Sequence, residues 1–240
     1  MNWRLLDTGA NLGAYNMAID EELLARAQAG EQTPVLRFYT WSPPAVSLGR
    51  FQKIETSVHA DVCRQHGIDI VRRITGGRAV LHSQELTYSI IAPLDHPLFP
   101  SSVLGTYKVI AAGLLAGLTN LGLHPEMVSR SSRHAGRVEK SPNNPACFSS
   151  PSWYEILVNN RKIVGSAQRR VSNAFLQHGS VLMDFDPVLE SKVIPGGGGS
   201  DVVTSLNREL GRVVSIDEIK AAMVKGFEEA LGISFLWTRG

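Results

Sequence analysis

The sequence predicts an α+β fold in which a mixed, largely antiparallel sheet is flanked by helices. Strand-like segments crowd the middle of the chain, helical periodicity marks its flanks, and no regular strand–helix–strand alternation calls for a doubly wound sheet. The chain has 240 residues, of which 43% are hydrophobic and 19% charged. That is enough apolar material for one core, so a single domain over residues 1–240 is expected.

From Ala14 to Ala29, Met17, Ala18, Leu23, Leu24 and Ala27 recur at helical spacing, with Asp20, Glu21 and Glu22 between them, which predicts an amphipathic helix. Pro34 to Trp41 and Ala45 to Leu48 are β-branched or aromatic-rich runs separated by Ser42-Pro43-Pro44, hence two strands about a proline turn. His59 to His66 reads as a helix capped by Gly67, leading into a strand from Ile68 to Arg73. Past the loop Thr75-Gly-Gly-Arg78, further strands are expected at Ala79–His82 and Leu86–Ala92.

Ser102 to Leu121 is helical around Val109, Ile110, Leu114 and Leu118, and Gly122 ends it. Tyr154–Val158 and Lys162–Gly165 form a hairpin around Asn159-Asn160-Arg161, whose first two residues tolerate left-handed backbone. A strand is expected from Gly179 to Phe185, and helices near Asp201–Leu210 and Ser215–Leu231. Pro195-Gly-Gly-Gly-Gly-Ser200 has the composition of a flexible linker, expected to form a mobile surface loop at 195–200 that joins elements without packing.

Lys and Arg total 24 against 22 Asp and Glu, a net charge of +2, too small to indicate a nucleic-acid partner. Apolar runs break within about a dozen residues, short of the roughly 20 that cross a bilayer, so no membrane partner is expected. Only two cysteines occur, and the N-terminus lacks a basic start followed by an apolar run. Both features fit a cytoplasmic protein.

Cys147 lies in Asn144-Pro-Ala-Cys-Phe-Ser-Ser-Pro151, a loop position between prolines, where a thiolate nucleophile is well placed. An isolated cysteine is more often a small buried hydrophobe, and Cys63, within a helical segment, keeps that reading. Lys162 follows the hairpin turn among apolar and small residues. A partly buried ammonium there would lower a neighbouring thiol's pKa and exchange protons near neutrality, although a solvated lysine after a turn is the plainer alternative.

Arg72, Arg73 and Arg78 surround Gly76 and Gly77 at a strand end, an arrangement suited to cradling an acyl or phosphate oxygen, or simply a turn with exposed arginines. The loop has neither the P-loop nor the dinucleotide spacing. His82 and His178 lack the spacing of a zinc site, and no metal is assigned. The basic stretch Arg130, Arg133, His134, Arg137 and Lys140 is either a solvated loop or a steering surface for an acidic protein.

Three segments in order, Gly13-Ala-Tyr-Asn-Met-Ala-Ile-Asp20, Trp41-Ser-Pro-Pro-Ala-Val-Ser-Leu-Gly-Arg-Phe-Gln52 and Arg72-Arg-Ile-Thr-Gly-Gly-Arg-Ala-Val-Leu-His82, resemble the biotin/lipoate protein ligase and transferase superfamily. Glu85-Leu-Thr-Tyr-Ser89, Ala146-Cys-Phe148, Lys162-Ile-Val-Gly-Ser-Ala-Gln168 and Leu176-Gln-His-Gly-Ser180 are similar to the LipM-type octanoyltransferases within it. The resemblance implies the catalytic fold shared with biotin protein ligases and class II aminoacyl-tRNA synthetases. It also implies octanoyl-acyl carrier protein as donor and the glycine cleavage H protein or another lipoyl domain as acceptor. No ATP or other cofactor is needed for such thioester exchange.

Cys147 then maps to the nucleophile and Lys162 to the essential lysine. Arg72, Arg73, Gly76, Gly77, Arg78 and His82, with Gly165, Ser166 and Ala167, map to the substrate site. The alternatives the motifs leave open are an ATP-dependent lipoate-protein ligase, an octanoyl amidotransferase between lipoyl domains, and a lipoyl-domain binder without chemistry.

Overall fold

The periodicities read from the sequence translate into two sheets in a computed structural model that describes residues 1–127 and 155–239. Cys147 and the stretch from Arg130 to Lys140 lie outside the described residues.

The large sheet has the strand order β11-β1-β2-β6-β10-β9-β8-β7. Its strands are β1 (Asn2–Asn11), β2 (Val35–Trp41), β6 (Glu85–Pro93), β7 (Glu126–Met127), β8 (Ile156–Val158), β9 (Arg161–Arg170), β10 (Ala174–Leu182) and β11 (Ser234–Arg239). β1 runs parallel to both β2 and β11, and the remaining pairs are antiparallel. The small sheet sets β3 (Ala45–Leu48) between β4 (Asp69–Arg72), parallel to it, and β5 (Val80–His82), antiparallel. The α+β expectation therefore holds.

α1 (Gly13–Gln28) covers one face of the large sheet, with Leu23, Leu24 and Ala27 packed against Val35, Ile91 and Leu176. The other face carries the main core, in which Leu86, Tyr88, Ile90 and Phe175 meet α4 (Val103–Asn120) and α7 (Ile216–Leu231). α4 is capped by the Ser102 hydroxyl, which accepts from the Gly105 amide, satisfying one of the free amides of the first turn. At 18 residues and a mean hydropathy of 1.2, α4 is long and apolar enough to cross a membrane, which the interrupted apolar runs did not suggest. Its Ile110, Leu114 and Leu118 are nonetheless buried in the core.

The hairpin turn forms as expected: Asn159 and Asn160 take φ of 51° and 61°, the pair of left-handed residues of a type I′ turn. Elsewhere the structure corrects the sequence reading. β1 and β11 were not foreseen, and neither were the short helices α2 (Ile54–Ser57) and α5 (Pro187–Val193). β10 begins at Ala174 rather than Gly179 and ends at Leu182; every residue in it is buried, so its sequence has no alternation to read.

The helix expected from Asp201 is only α6 (Leu206–Leu210). Ahead of it, backbone bonds go instead to Lys162, whose amide donates to Val202 O at 2.8 Å and whose carbonyl accepts from Thr204 N at 2.9 Å. The glycine-rich segment, expected not to pack, is packed. A Cβ at Gly197 would lie 2.9 Å from Glu190 O, and one at Gly198, where φ is +87°, 2.7 Å from Pro187 O. Glycine serves here for close backbone approach rather than for flexibility.

Candidate functional site

A cavity of about 190 Å³, mostly apolar in its lining, opens between the two sheets. The small sheet contributes Ser47, Val80 and His82, and the loop after β4 contributes Arg73, Gly77 and Arg78. From the large sheet come Tyr39 and Trp41, Thr87, the β9 run Gly165-Ser166-Ala167, and the β10 run His178-Gly179-Ser180. Close strand approach makes β10 glycine at its centre, since a Cβ on Gly179 would sit 2.5 Å from Gly165 O and 2.8 Å from a Tyr88 ring carbon.

Of the residues singled out in the sequence, the structure brings Arg73, Gly77, Arg78, His82, Gly165, Ser166 and Ala167 to this one cavity. Arg72 and Gly76 are not in its wall. Arg72 turns outward, and its Nη1 donates to the carbonyls of Gly49, Arg50 and Gln52 at 2.7–3.2 Å. Arg73 does not present an open anion fork either. Its Nε donates to Thr75 Oγ1, Nη1 to Ser47 O and Oγ, and Nη2 to the carbonyls of Gly76 and Arg78, all within 3.2 Å. The five guanidinium donors are thus engaged by the protein itself, and the buried side chain holds the glycine loop in shape.

Two histidines lock the sheets together around this arginine. The Glu85 carboxylate accepts from His82 Nδ1 at 2.7 Å, which leaves Nε2 to accept from Ser47 Oγ at 2.7 Å. Thr87 and Ser180 hydroxyls also donate to Glu85 Oε1, whereas buried Oε2 has no partner among the described residues. Trp41 stacks on the His82 ring, with centroids 4.0 Å apart and planes 12° apart.

His178 Nδ1 donates to Asp20 Oδ2 at 3.1 Å, so its Nε2 accepts from Thr75 Oγ1 at 2.7 Å. Burial pushes the His178 ring below the usual histidine range despite Asp20, which keeps it neutral and consistent with this tautomer. Burial pushes the Asp20 carboxyl up, but the bond from His178, the charge of Arg37 and the Ser89 hydroxyl outweigh it and hold the carboxyl below its ordinary value. Arg37 is fully buried and meets Asp20 Oδ1 at 2.7 Å.

Lys162 is not among the residues that line the cavity. Val203, which bridges to the Lys162 backbone, packs with the cavity residue Val80, and Gly165 in the lining is three residues further along β9. Lys162 is 1% exposed, and its Nζ is 2.5 Å from Glu155 Oε1. The solvated-lysine alternative is therefore removed.

The sequence reading missed Ser47, Glu85, Thr87, Ser180, Asp20, Arg37 and Glu155. One signal was present: Asn16 and Asp20 fall on the same helical stripe as Gly13, Met17, Leu23, Leu24 and Ala27, and polar residues inside an apolar stripe need buried partners. Similarly, Glu85, Thr87 and Ser89 share one face of β6, at period two.

The architecture places the chain in one structural class with solved lipoate-protein ligases. It superposes with TM-score 0.82, at 27% identity, on a crystal structure of lipoate-protein ligase A bound with ATP, covering 100% of this chain and 90% of that one. A putative lipoate protein ligase from T. acidophilum with bound lipoic acid gives 0.79 at 26% identity, with the same coverage. The chain belongs to the lipoyl protein ligase A/B catalytic domain family, which matches residues 13–228. Among curated relatives, proteins named octanoyltransferase LipM from Brevibacillus brevis and Geobacillus kaustophilus are 43% and 41% identical over 241 residues, 96% of this chain and 87% of each relative.

Proposed function

We propose that the chain is an octanoyltransferase that moves an octanoyl group from octanoyl-acyl carrier protein, through a thioester on Cys147, to a lysine of a lipoyl-carrying protein such as the glycine cleavage H protein. The observation that carries this reading is the identity of about 40%, over nearly the whole chain, to relatives named for octanoyl transfer. The mostly apolar cavity supports it, being suited to a saturated chain, and Lys162 is buried as a proton-exchanging lysine would be.

In the first step the Cys147 thiolate attacks the donor thioester carbonyl. The new thioester forms as the carrier's acyl C–S bond breaks, and the carrier leaves as a thiol after taking a proton from the Lys162 ammonium. The acceptor amine then attacks the acyl-cysteine, the C–S bond breaks as the amide forms, Cys147 departs as thiolate, and the now neutral Lys162 amine takes the proton the acceptor loses and returns to the ammonium. Thioester is exchanged for thioester and then for the more stable amide, so neither ATP nor an adenylate is required.

Arg73, Gly77, Arg78 and His82 would line the acyl site with Gly165, Ser166 and Ala167, while Arg72 and Gly76 shape the loop from outside. The basic stretch Arg130–Lys140 would steer an acidic carrier.

The test is intact mass spectrometry after mixing the protein with octanoyl-acyl carrier protein alone. One octanoyl mass should appear without ATP, be removed by hydroxylamine, map to Cys147, and pass to added H protein. Cys147→Ser should lose transfer by at least about 100-fold, since a serine hydroxyl is far less acidic than a thiol, and Cys63→Ser should match wild type. A strict requirement for ATP and magnesium would instead identify a ligase.

A further inference from the structure

The turn after β3 displays Phe51, which at 84% exposure is the most exposed large apolar side chain among the described residues. A single exposed aromatic is ordinary, but three further features set this one apart. The first is that the turn is tied down. The Gln52 amide donates to Gly49 O and the Gly49 amide to Gln52 Oε1, both at 3.0 Å, and the Arg50 amide donates to Thr75 O at 2.9 Å. Arg72 binds three carbonyls of the same turn from outside, so Phe51 is presented on a fixed frame.

The second feature is position. Gly77 is exposed and also lines the cavity, so the cavity wall meets the surface there. The turn packs directly on it, since a Cβ at Gly49 would lie 2.0 Å from Gly77 O. The third is charge. Arg50, Lys53 and Arg72 are all exposed, and none of them pairs with a carboxylate among the described residues. The Arg50 guanidinium lies 5.4 Å from the Phe51 ring centroid, and Ile54 at the start of α2 adds a second exposed apolar group. Glu55 is the one acidic residue between Gly49 and Ser57. In a chain whose net charge is only +2, this basic excess is local.

We propose that the Gly49–Ile54 turn docks the protein that delivers the acyl group, with Phe51 as the apolar anchor and Arg50, Lys53 and Arg72 facing an acidic surface and the phosphodiester of its thioester-bearing arm. The inference rests on the octanoyl-transfer reading, in which the donor is an acyl carrier protein with that chemistry. Aromatic and arginine side chains together are the usual anchors of protein interfaces, and arginine and lysine suit a phosphate. The acceptor fits the patch less well, because the lysine it must bring in is itself a cation and like charges repel.

Arg72 also holds the turn, so the test leaves it in place and uses Phe51→Ser and the double variant Arg50→Glu with Lys53→Glu. The side chains changed make no hydrogen bond within the described residues, and urea midpoints should match wild type. Each variant is assayed with octanoyl-acyl carrier protein and with octanoyl-N-acetylcysteamine, a thioester that has neither protein nor phosphate. Both should raise KM for the protein donor at least about tenfold and leave kcat and KM for the small thioester within about twofold of wild type. The defect of the charge-reversed variant should shrink as salt is raised, because salt also weakens the wild-type attraction. Calorimetric titration with the unacylated, arm-bearing carrier should show the same loss of affinity without turnover.

Equal losses with both donors would overturn the inference, since the turn would then serve the cavity. So would an unchanged KM for the protein donor, a defect confined to transfer onto the acceptor, or wild-type binding to phosphatidylglycerol vesicles but not to the carrier. If the wild type took octanoyl from neither donor, the proposed function would fail, while the titration with the carrier would still decide whether this turn docks it.

Discussion

At the scale of single residues, the costliest arrangement is the buried set Arg37, Asp20 and His178. A buried ion pair adds little net stability, but breaking it from one side leaves an uncompensated charge, at about 3–5 kcal/mol. Asp20→Asn should therefore lower unfolding stability by that amount in urea titrations, because Arg37 stays buried and charged. The pH dependence follows from the directions of the shifts. His178 is depressed when folded, so below about 6.5, the unfolded value, the unfolded chain binds a proton that the folded ring refuses. Stability is full above that pH and declines below it. Asp20 is also depressed, so its contribution persists to lower pH and is lost only as pH falls from about 3.9, the unfolded value, through the folded one. His178→Gln should flatten the decline between pH 7 and 5 and leave the steeper loss below pH 4, as measured by urea midpoints. A decline unchanged in His178→Gln would assign it to another group.

At the scale of elements, α4 and α7 are brought together by three glycines. A Cβ on Gly226 would lie 2.2 Å from Gly117 N and 2.7 Å from Gly113 O, and one on Gly113 would overlap the Phe227 ring at 2.1 Å. Helix propensity favours alanine over glycine by about 1 kcal/mol, but forcing two backbones apart in a packed core costs about 1–3 kcal/mol or more. Packing should win: Gly226→Ala should destabilise the protein in thermal or urea unfolding although it improves the isolated helix. A stabilised variant would show that the helices separate freely. These glycines lie in segments read correctly as helices, so the elements were legible while the reason for glycine at their centres was not. Conversely, Asn159-Asn160 announced both turn and turn type, because a two-residue hairpin needs left-handed backbone and asparagine accepts it locally.

At the scale of the whole molecule, the cavity exists because two sheets are joined across it, and Arg73 is the central joint. It ties the β4 loop to Ser47 on β3 and, through Thr75 and His178, to β10 and α1. Lysine keeps the charge but offers three donors from one point instead of a five-donor fork. Arg73→Lys should therefore raise KM for the octanoyl donor about tenfold, equivalent to about 1.4 kcal/mol, with a smaller change in kcat. Unchanged KM would mean that the loop does not shape the acyl site.

The sequence by itself determined the fold class, most helices and strands, the hairpin and the ordered motifs that mark the family, because these depend on local periodicity, turn chemistry and residue identity at fixed spacing. Lys162 and the Arg72–His82 loop were also visible there as candidates. Only the tertiary structure decided what those residues face. Pairing of β1 with β11 joins positions over 230 residues apart, and the glycine-rich segment, a linker by composition, becomes the seat of Glu190. Likewise, Arg73 turns inward while Arg72 turns away, and Glu155 meets Lys162 inside the protein. No local pattern encodes such contacts, since burial, partner and direction are set when distant segments compete for the same space and the same hydrogen bonds.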